Sequence, residues 1–389
     1  MTRCIPFLLC SLLFFLTEIT TAQQIVSSSD EEEEPEEPIR VGSHYSILPV
    51  IGYSSDLGFV GGGYVQRLNY GNNVRPFKNN LQADISFSTK GNIVSEISFE
   101  QLTTFGLPIR SRLTFIGGRL KETNYFGIGN ETDFSDQHYE DGYYFFEARE
   151  LYINYLGRYS LFEWAGGNLD AVGTITFWRM NPISRSGETL FGDQYGTYDI
   201  SWLNRTGVGI IADSRDSEFH ATEGFYYDIQ FETTVPFLGS DYKSKLFKAD
   251  IRHFLEPFRN VVIAHNLRMD SITGSEKPFW SLPFVGGKEG VRGYHLERFR
   301  GDKTIMSLLE IRTWLFTLFE DQVSVGAQAF WDSGRVFSHE DSNALFSDWK
   351  HGFGGGMALS LFGPDMIFRG DIGFSKESFR IYFGTGYTF

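Results

Sequence analysis

The sequence predicts an all-β protein that crosses an outer membrane as one antiparallel barrel of about sixteen strands. Aromatic residues make up 16% of the chain, and its 42 glycines far outnumber its 12 prolines. That mixture is typical of many strands joined by turns. Period-two alternation of apolar and polar residues recurs from about residue 41 to residue 389. Many of these runs are about 10 to 14 residues long, which is the length of a tilted strand that crosses a bilayer.

The first element is a secretory signal peptide, predicted over residues 1–22. Arg3 precedes a short apolar stretch from Ile5 to Leu16, and the small residues Thr20 to Ala22 precede Gln23. This is the pattern of a segment that directs export and is then cleaved. The apolar stretch is shorter than the about 20 residues that a membrane-spanning helix needs. We therefore expect export through the inner membrane and cleavage after Ala22.

The second element, residues 23–40, is predicted to be a disordered acidic tail on the periplasmic side. Seven carboxylates lie between Asp30 and Glu37, a composition that favours a solvated spacer. The net charge of −15 and the lack of a basic stripe argue against nucleic acid as a partner. Both cysteines, Cys4 and Cys10, lie in the signal peptide, so the exported chain is expected to form neither a disulfide nor a thiolate metal site.

Residues 41–389 form the predicted barrel, whose strands begin near residues 46, 57, 80, 92, 110, 142, 170, 198, 222, 242, 258, 303, 320, 350, 365 and 378. An even number of strands places both ends of the barrel on the periplasmic side. A soluble β-sandwich also alternates, but its strands are shorter and its dry core does not hold unpaired charges. Here charged residues recur on the face assigned to the lumen: Glu147, Arg149, Asp228, Glu232, Glu310, Arg312, Arg369 and Asp371.

Short and long connections between these strands alternate, as a transmembrane barrel predicts. Tight joins are predicted to be periplasmic turns near Ser55-Asp56, Gly91-Asn92, Gly363-Pro364 and Lys376-Glu377. Longer polar stretches are predicted to be external loops: Thr123 to Asp141, Asn181 to Thr197 and Gly274 to Asp302.

Five segments carry a family resemblance because they occur together and in a fixed order. The long loop contains GGKEGVRGYHLERFRGD, with Val291, Arg292, Gly293 and Tyr294 at its centre. SLLEIR then places Glu310 on the next strand, and AFWDSGRVF places Asp332 and Gly334 one strand later. Upstream lie YFGIGNET (residues 125–132) and DSRDSEFHATEG (residues 213–224), the latter with Asp213, Arg215, Asp216 and Gly224.

This ordered set resembles the BamA/TamA superfamily of outer-membrane assembly and translocation barrels, also called the bacterial surface antigen family, over essentially all of residues 41–389. The resemblance implies that the loop around Arg292 folds back into the lumen. Two departures stand out. Ala221 occupies a position where the family commonly has proline. Only a short polar stretch separates Ala22 from the first strand, too little for the family's periplasmic POTRA modules that capture clients.

A guanidinium on such a loop needs anionic partners, and Glu310 and Asp332 fall on the inward parity of neighbouring strands. We expect Arg292 to engage one or both carboxylates in the lumen, where a reduced dielectric strengthens a charge-assisted pair. Gly293 would let the backbone pass closely, and Tyr294 would pack against the wall. The alternative is that these are ordinary loop and strand charges.

The last residues, Tyr387 and Phe389, resemble the sorting signal that barrel-assembly machinery reads when it inserts a barrel. The simpler alternative is that Phe389 is the last lipid-facing side chain of its strand, and both can hold. The partners implied are outer-membrane lipid, the assembly machinery and client proteins.

The function that the resemblance implies is insertion or export of client proteins through a weakly closed seam between the first and last strands. Pro49 in the first strand removes a ladder hydrogen bond and suits such a seam. The alternative is a passive pore or a structural surface protein. An enzyme is disfavoured, because the sequence has no GxSxG, HExxH or phosphate-binding Gly-Lys-Ser/Thr motif and its eight histidines are scattered. No metal or cofactor is predicted, and Gly352 to Gly356 favours close backbone approach over nucleotide binding.

Overall fold

The computed structural model describes residues 41–72, 74, 77–218, 220–319, 322–338, 347–361 and 367–389. The predicted signal peptide (1–22), the acidic tail (23–40) and the turn at Gly363-Pro364 lie outside these residues, so they stay predictions.

Sixteen strands of the described chain close into one antiparallel barrel, in which each strand pairs with its sequence neighbours and the last strand returns to the first. They are β1 (Val41–Ser54), β2 (Gly58–Asn72), β3 (Asn79–Ser88), β4 (Ile93–Gln101), β5 (Ile109–Asn124), β6 (Phe145–Trp164), β7 (Gly167–Ile183), β8 (Ser201–Asp213), β9 (Gly224–Thr234), β10 (Lys243–Phe258), β11 (Val261–Glu276), β14 (Lys303–Leu318), β15 (Val323–Phe337), β16 (Lys350–Leu361), β17 (Ile367–Ser375) and β18 (Phe379–Thr385). The predicted strand starts lie within five residues of the observed ones, and the predicted fold class is confirmed.

The remaining described elements are short and lie in the loops. The strands β12 (Phe284–Val285) and β13 (Phe299–Arg300) form a two-stranded ribbon inside the long loop between β11 and β14. The helices are α1 (Asp136–Glu140), α2 (Leu190–Tyr195) and the 3-10 turns Pro236–Leu238 and Phe279–Ser281. In the described part of the chain, every helix is too short or too polar to cross a membrane.

The two faces of the barrel wall carry opposite chemistry. On β14, Ile311 is 47% exposed on the outside, whereas its neighbours Glu310 and Arg312 are buried on the inside. On β15, Trp331 is exposed beside the fully buried Asp332. Apolar side chains outside and charged side chains inside are what a transmembrane barrel presents to lipid and to a polar lumen.

Six of the eight charges predicted for the lumen face lie there, but the prediction was wrong for Glu147 and Arg149. The residue between them, Ala148, packs into the interior, so alternation turns both charged side chains outward. They lie at the start of β6, next to a long loop, where we expect an outward charge to meet water instead of lipid tails.

The predicted side was also wrong for three of the four tight turns; the fourth, at Gly363-Pro364, lies outside the described residues. Counting strand directions from β1 shows that the turns after β1, β3 and β17 lie at the same end of the barrel as the long loops, here called the loop end. Contacts agree: the backbone N–H of Leu296 in the long loop donates to Asp56 Oδ1 (3.0 Å) in the first turn. The other end, where β1 begins and β18 finishes, is called the terminal end.

Both ends of the lumen carry packed side chains. At the loop end, residues from three loops and the adjoining strands form a buried cluster: Tyr125, Phe146, Ala148, Met180, Phe191, Leu203, Phe279 and Trp280. At the terminal end, Ala221 from the β8–β9 connection packs with Phe254 and Ala264, and Phe389 lies against them. The barrel is therefore not an open tube.

Candidate functional site: the lumen lock and the seam

The predicted re-entrant loop enters the lumen and places Arg292 between two barrel strands. Its Nε and Nη2 donate to the two carboxylate oxygens of Asp332 (2.7 and 2.8 Å), and its backbone N–H donates to Asp332 Oδ2 (3.1 Å). Its Nη1 donates to Glu310 Oε1 (2.6 Å) and to the hydroxyl of Thr388 (3.1 Å). Arg292, Glu310 and Asp332 are fully buried, and we call these three residues the lumen lock.

Charge is balanced around the lumen lock. A third carboxylate, Asp371, lies 3.8 Å from Arg292 Nη1 and pairs with Arg369 (2.9 Å), while Arg312 pairs with Glu310 (2.8 Å). Burial by itself would lower the pKa of Arg292, but the charges of Asp332 and Glu310 outweigh it and raise that pKa. The network therefore holds a charged guanidinium inside the lumen.

Aromatic and small residues fit the loop against the wall. The Arg292 guanidinium stacks 3.5 Å from the ring centroid of Phe330, which adds a cation–π contact. Gly293 has a φ of +97°, and a Cβ there would lie 2.5 Å from the backbone of Phe374. On β16, a Cβ at Gly352 would lie on the carbonyl oxygen of Arg292. These glycines permit the close backbone approach that the sequence predicted.

Val291 and Tyr294 anchor the loop on either side of the arginine. Both belong to a buried cluster with Phe299 and strand residues, and a Cβ at Gly334 would meet Val291 at 2.8 Å. Burial raises the pKa of Tyr294 to about 12, so its ring stays neutral. The four residues of the VRGY motif therefore each touch the wall or the loop core.

A second arginine ties the loop to its neighbours at the loop end. Arg298 Nε donates to Glu377 (2.7 Å) in the β17–β18 turn, and its Nη atoms donate to the hydroxyl and carbonyl of Thr132 (2.6 and 2.8 Å). Thr132 ends the YFGIGNET segment, where the N–H of Gly129 also donates to the carbonyl of Arg300 (2.8 Å). This segment therefore holds the outer part of the loop.

The DSRDSEFHATEG segment builds the β8–β9 connection at the terminal end. Arg215 forms a two-pronged pair with Asp213 (2.9 and 2.8 Å). Asp216 accepts hydrogen bonds from the backbone of Thr222 (2.9 Å) and Glu223 (3.1 Å). Gly224 has a φ of +97°, and a Cβ there would lie 2.2 Å from a backbone oxygen. These contacts shape a turn and lie away from the lumen lock.

The seam between β1 and β18 is held at one end only. The two strands share a single register pair, Ser54 with Tyr382, whereas other neighbouring strands pair over seven or more residues. The Ser55 N–H donates to the carbonyl of Ile381 (3.0 Å), and Arg380 pairs with Asp56 beside it. Most of the first strand therefore has a free edge.

The residues after β18 leave the barrel wall and turn into the lumen. Gly386, with a φ of +70°, makes this turn. Thr388 accepts hydrogen bonds from Arg292 and Arg369, Tyr387 lies under the Arg312 guanidinium (4.0 Å), and the carbonyl of Phe389 accepts from Arg312 (3.0 Å). Phe389 is therefore not a lipid-facing side chain, and that alternative was wrong because the strand ends at Thr385. A sorting role for Tyr387 and Phe389 stays a prediction.

Sequence reasoning missed several residues of this site. Asp371 was placed on the inner face but not near Arg292, and Thr388 was not placed there at all. Tyr382 was also missed; its hydroxyl accepts from the Gly293 N–H (3.1 Å) and so joins the seam strand to the loop. The period-two alternation around Asp371 was the only sequence signal, and it could have identified Asp371 alone.

Together, the barrel wall, the charged lumen and the re-entrant arginine loop define a transmembrane β-barrel whose lumen is occupied by one of its own loops. The chain belongs to the Omp85 superfamily, because the description "Omp85 superfamily domain" matches residues 66–389. A barrel of this family lies in an outer membrane. No curated protein sequence matches the chain.

Solved structures share the fold at low sequence identity. BamA from Haemophilus ducreyi lacking POTRA domains 1–3 aligns with a TM-score of 0.60 and 13% identity, over 90% of this chain and 71% of that one. CdiB from Acinetobacter baumannii aligns at 0.57 and 12%, over 88% and 59%. CdiB from Escherichia coli aligns at 0.59 and 11%, over 94% and 67%. The chain thus spans about 59% to 71% of the length of these proteins.

Proposed function

We propose that this barrel inserts client proteins into the outer membrane or exports them across it, by opening its seam laterally while the lumen lock holds the wall formed by β14 and β15. The observation that carries the proposal is the seam, where β1 and β18 share one register pair. Breaking so short a contact disrupts few hydrogen bonds, whereas opening any other pair of strands would disrupt many.

The lumen lock gives the opened barrel a fixed reference. Arg292 connects the loop to β14 and β15 through Glu310 and Asp332. The same loop reaches the seam strand through Gly293 and Tyr382. A movement of the seam strand is therefore transmitted to the loop through Tyr382. Glu310 and Asp332, both bound to Arg292, keep β14 and β15 in register.

The cellular setting belongs to the same proposal. We expect a Gram-negative outer membrane, reached through a signal peptide cleaved after Ala22, with residues 23–40 as a periplasmic spacer. Barrel-assembly machinery would read Tyr387 and Phe389, and clients would be unfolded proteins in the periplasm. On this proposal the chain performs no chemical catalysis.

Comparative proteomics tests the proposal. Outer-membrane and surface proteomes are compared in cells carrying the wild type, a deletion, Arg292→Ala and the matched control Arg67→Ala, with folded barrel at equal levels. Arg67 is an exposed arginine of β2, and among the described residues its guanidinium hydrogen-bonds Ser43. Loss of one defined set of proteins in the deletion and in Arg292→Ala, but not in the control, supports the proposal. Unchanged proteomes together with ion conduction by the purified barrel would replace it with the passive pore.

A reversible crosslink tests the seam directly. Ser54 and Tyr382 face each other as a non-hydrogen-bonded pair, a spacing of about 4.5 Å between Cα atoms that suits a disulfide. We expect oxidised Ser54→Cys/Tyr382→Cys to lose the client set and to regain it on reduction. The single variants control for loss of the tyrosine hydroxyl. Full function of the oxidised double variant would contradict lateral opening.

A further inference from the structure

A chamber of about 520 Å³ lies in the lumen beside the re-entrant loop. It reaches from Ser54 and Tyr382 at the seam to Arg205 on β8, on the far side of the barrel. The segment from Trp280 to Pro283 lines it from the loop side. The chamber does not touch the lumen lock, so the proposed function leaves it unexplained.

Arg205 is the unusual residue of this chamber. It is 5% exposed, and its Nε and Nη2 are buried with no hydrogen-bond partner in the described part of the chain. Among the described residues its guanidinium has no ion pair. The carboxylate that acts on it most strongly, Glu232, is already paired with Lys248. Burying a guanidinium without an anion destabilises the fold, because no ion pair offsets the free energy lost when the group leaves water.

Water alone does not supply what is missing. Nε and Nη2 are closed off from solvent, and a water molecule carries no charge to balance the guanidinium. Nη1 is the nitrogen through which Arg205 can reach the chamber. Two other inward-facing arginines of the barrel wall each have an ion pair: Arg158 with Asp170 (2.7 Å) and Arg369 with Asp371 (2.9 Å). Arg205 is therefore a buried cation that an anionic ligand in the chamber could pair with.

Aromatic and aliphatic side chains form one part of the chamber wall, and another part carries the charged residues Asp56, Arg268, Asp270, Lys288 and Glu289. Trp178 and Trp280 pack edge to face with ring centroids 4.6 Å apart, and Tyr152 lies 6.0 Å from Trp178. The indole nitrogen of Trp280 is buried without a hydrogen-bond partner among the described residues. Leu246, Leu282 and Met306 also belong to the apolar part of the wall. Apolar walls with a few convergent donors are the usual make-up of a site for an organic ligand.

We propose that this chamber binds an organic anion, a carboxylate carried on an aromatic or aliphatic body, with the carboxylate at Arg205. The apolar body lies against Trp178 and Trp280. The carboxylate has two conceivable sources, a free small molecule or an acidic side chain within an apolar stretch of a passing polypeptide. The first source is independent of the proposed function, and the second rests on it.

Binding is tested on the purified full chain in non-ionic detergent by equilibrium dialysis. The probes are 2-naphthoate and the peptide acetyl-Phe-Glu-Phe-amide, each beside its uncharged amide counterpart, 2-naphthamide or acetyl-Phe-Gln-Phe-amide. We expect Arg205→Met to weaken binding of a charged probe about tenfold or more, as for loss of a charge-assisted contact. The matched control Arg158→Met lies off the chamber and leaves binding unchanged. Equal binding to wild type and Arg205→Met overturns the proposal.

A stability measurement separates a ligand site from a structural arginine. Without probe, Arg205→Met has no partner to orphan, so we expect its thermal unfolding midpoint to equal or exceed that of the wild type. Arg158→Met leaves Asp170 without its ion pair and lowers the midpoint. A drop in Arg205→Met as large as in the control would show that Arg205 is structural and overturn the proposal. Binding of 2-naphthoate alone identifies a small-molecule site, and binding of the peptide alone identifies a polypeptide site.

Discussion

Arg292 binds two carboxylates at once, which a lysine in its place could not do. Its planar fork meets both oxygens of Asp332 while Nη1 meets Glu310, and a lysine ammonium reaches one of these partners at a time. We expect Arg292→Lys to lower the free energy of unfolding by about 3 kcal/mol, because it leaves a buried carboxylate unpaired. The measurement is the urea concentration at which half of the barrel is unfolded, with the folded fraction read from the gel mobility of unheated samples. Arg67→Lys is the exposed control, and equal midpoints in all three proteins would contradict the lock.

His295 gives the fold a dependence on pH. Burial, followed by the charges of Arg380, Arg298 and Lys90, lowers its pKa to about 2, and the ring of Tyr139 lies 4.0 Å away. The folded chain keeps the imidazole neutral, whereas the unfolded chain takes up a proton below its ordinary pKa of 6.5. With respect to this histidine, the free energy of unfolding is therefore highest above pH 6.5 and decreases as the pH falls below it.

Between pH 7 and pH 5 the free energy of unfolding should fall by about 2 kcal/mol more in the wild type than in His295→Gln. The reason is that the wild type loses ~1.4 kcal/mol per pH unit below 6.5. Chemical unfolding at both pH values measures the difference. The same comparison between pH 7 and pH 8 is the internal control, since the ring is neutral there in both states. Identical pH profiles for variant and wild type would show that His295 is not the sensing group.

At this scale the sequence identified the residues whose type and strand parity carry information. Arg292, Glu310 and Asp332 were predicted together because a loop arginine needs anions and both carboxylates face inward. Thr388 was not, because its contact with Arg292 depends on the turn at Gly386 after the last strand. Nothing local to Thr388 distinguishes it from any other strand-end hydroxyl.

Pro49 acts on β1 as an element. The Ser55 N–H donates across the seam and the Ser54 carbonyl accepts within the hairpin, so odd-numbered residues of β1 point their backbone groups to the seam. Pro49 therefore breaks the row of donors on a free edge, which discourages pairing with another chain. We expect Pro49→Ala to increase dimer formation in detergent, measured by size-exclusion chromatography. Pro182→Ala on β7 is the control, and an unchanged monomer fraction in Pro49→Ala would contradict this role.

Strand positions were predictable, but the side on which a turn lies was not. Alternation and turn residues mark where a strand begins, which is a local property of the chain. The end at which a turn lies depends on how many strands precede it. Ser55-Asp56 follows the first strand and must lie at the loop end, although its shortness favoured a periplasmic turn. For the same reason the short β17–β18 turn meets the long loop through Glu377.

Across the whole molecule, the two ends of the lumen are packed by different sets of residues, which one hydrogen bond connects. Loops pack over the loop end around Phe279 and Trp280. At the terminal end, Phe389 lies against Ala221 and its neighbours. Thr388, next to Phe389, hydrogen-bonds Arg292 in the loop. Removing the loop therefore also takes away one hydrogen bond that holds the tail, whereas disturbing the tail leaves the loop end packed.

This arrangement predicts the conductance of three proteins in planar bilayers. The wild type should be closed for most of a recording. Tyr387→Ala/Phe389→Ala should stay closed, because the loop end remains packed. Replacing residues 278–300 by a short Gly-Ser linker should give steady conductance, since a barrel of sixteen strands leaves an aqueous channel once its lumen is cleared. Steady conduction by the wild type would show that neither set of residues seals the lumen, and the passive pore would then explain the barrel better than lateral opening.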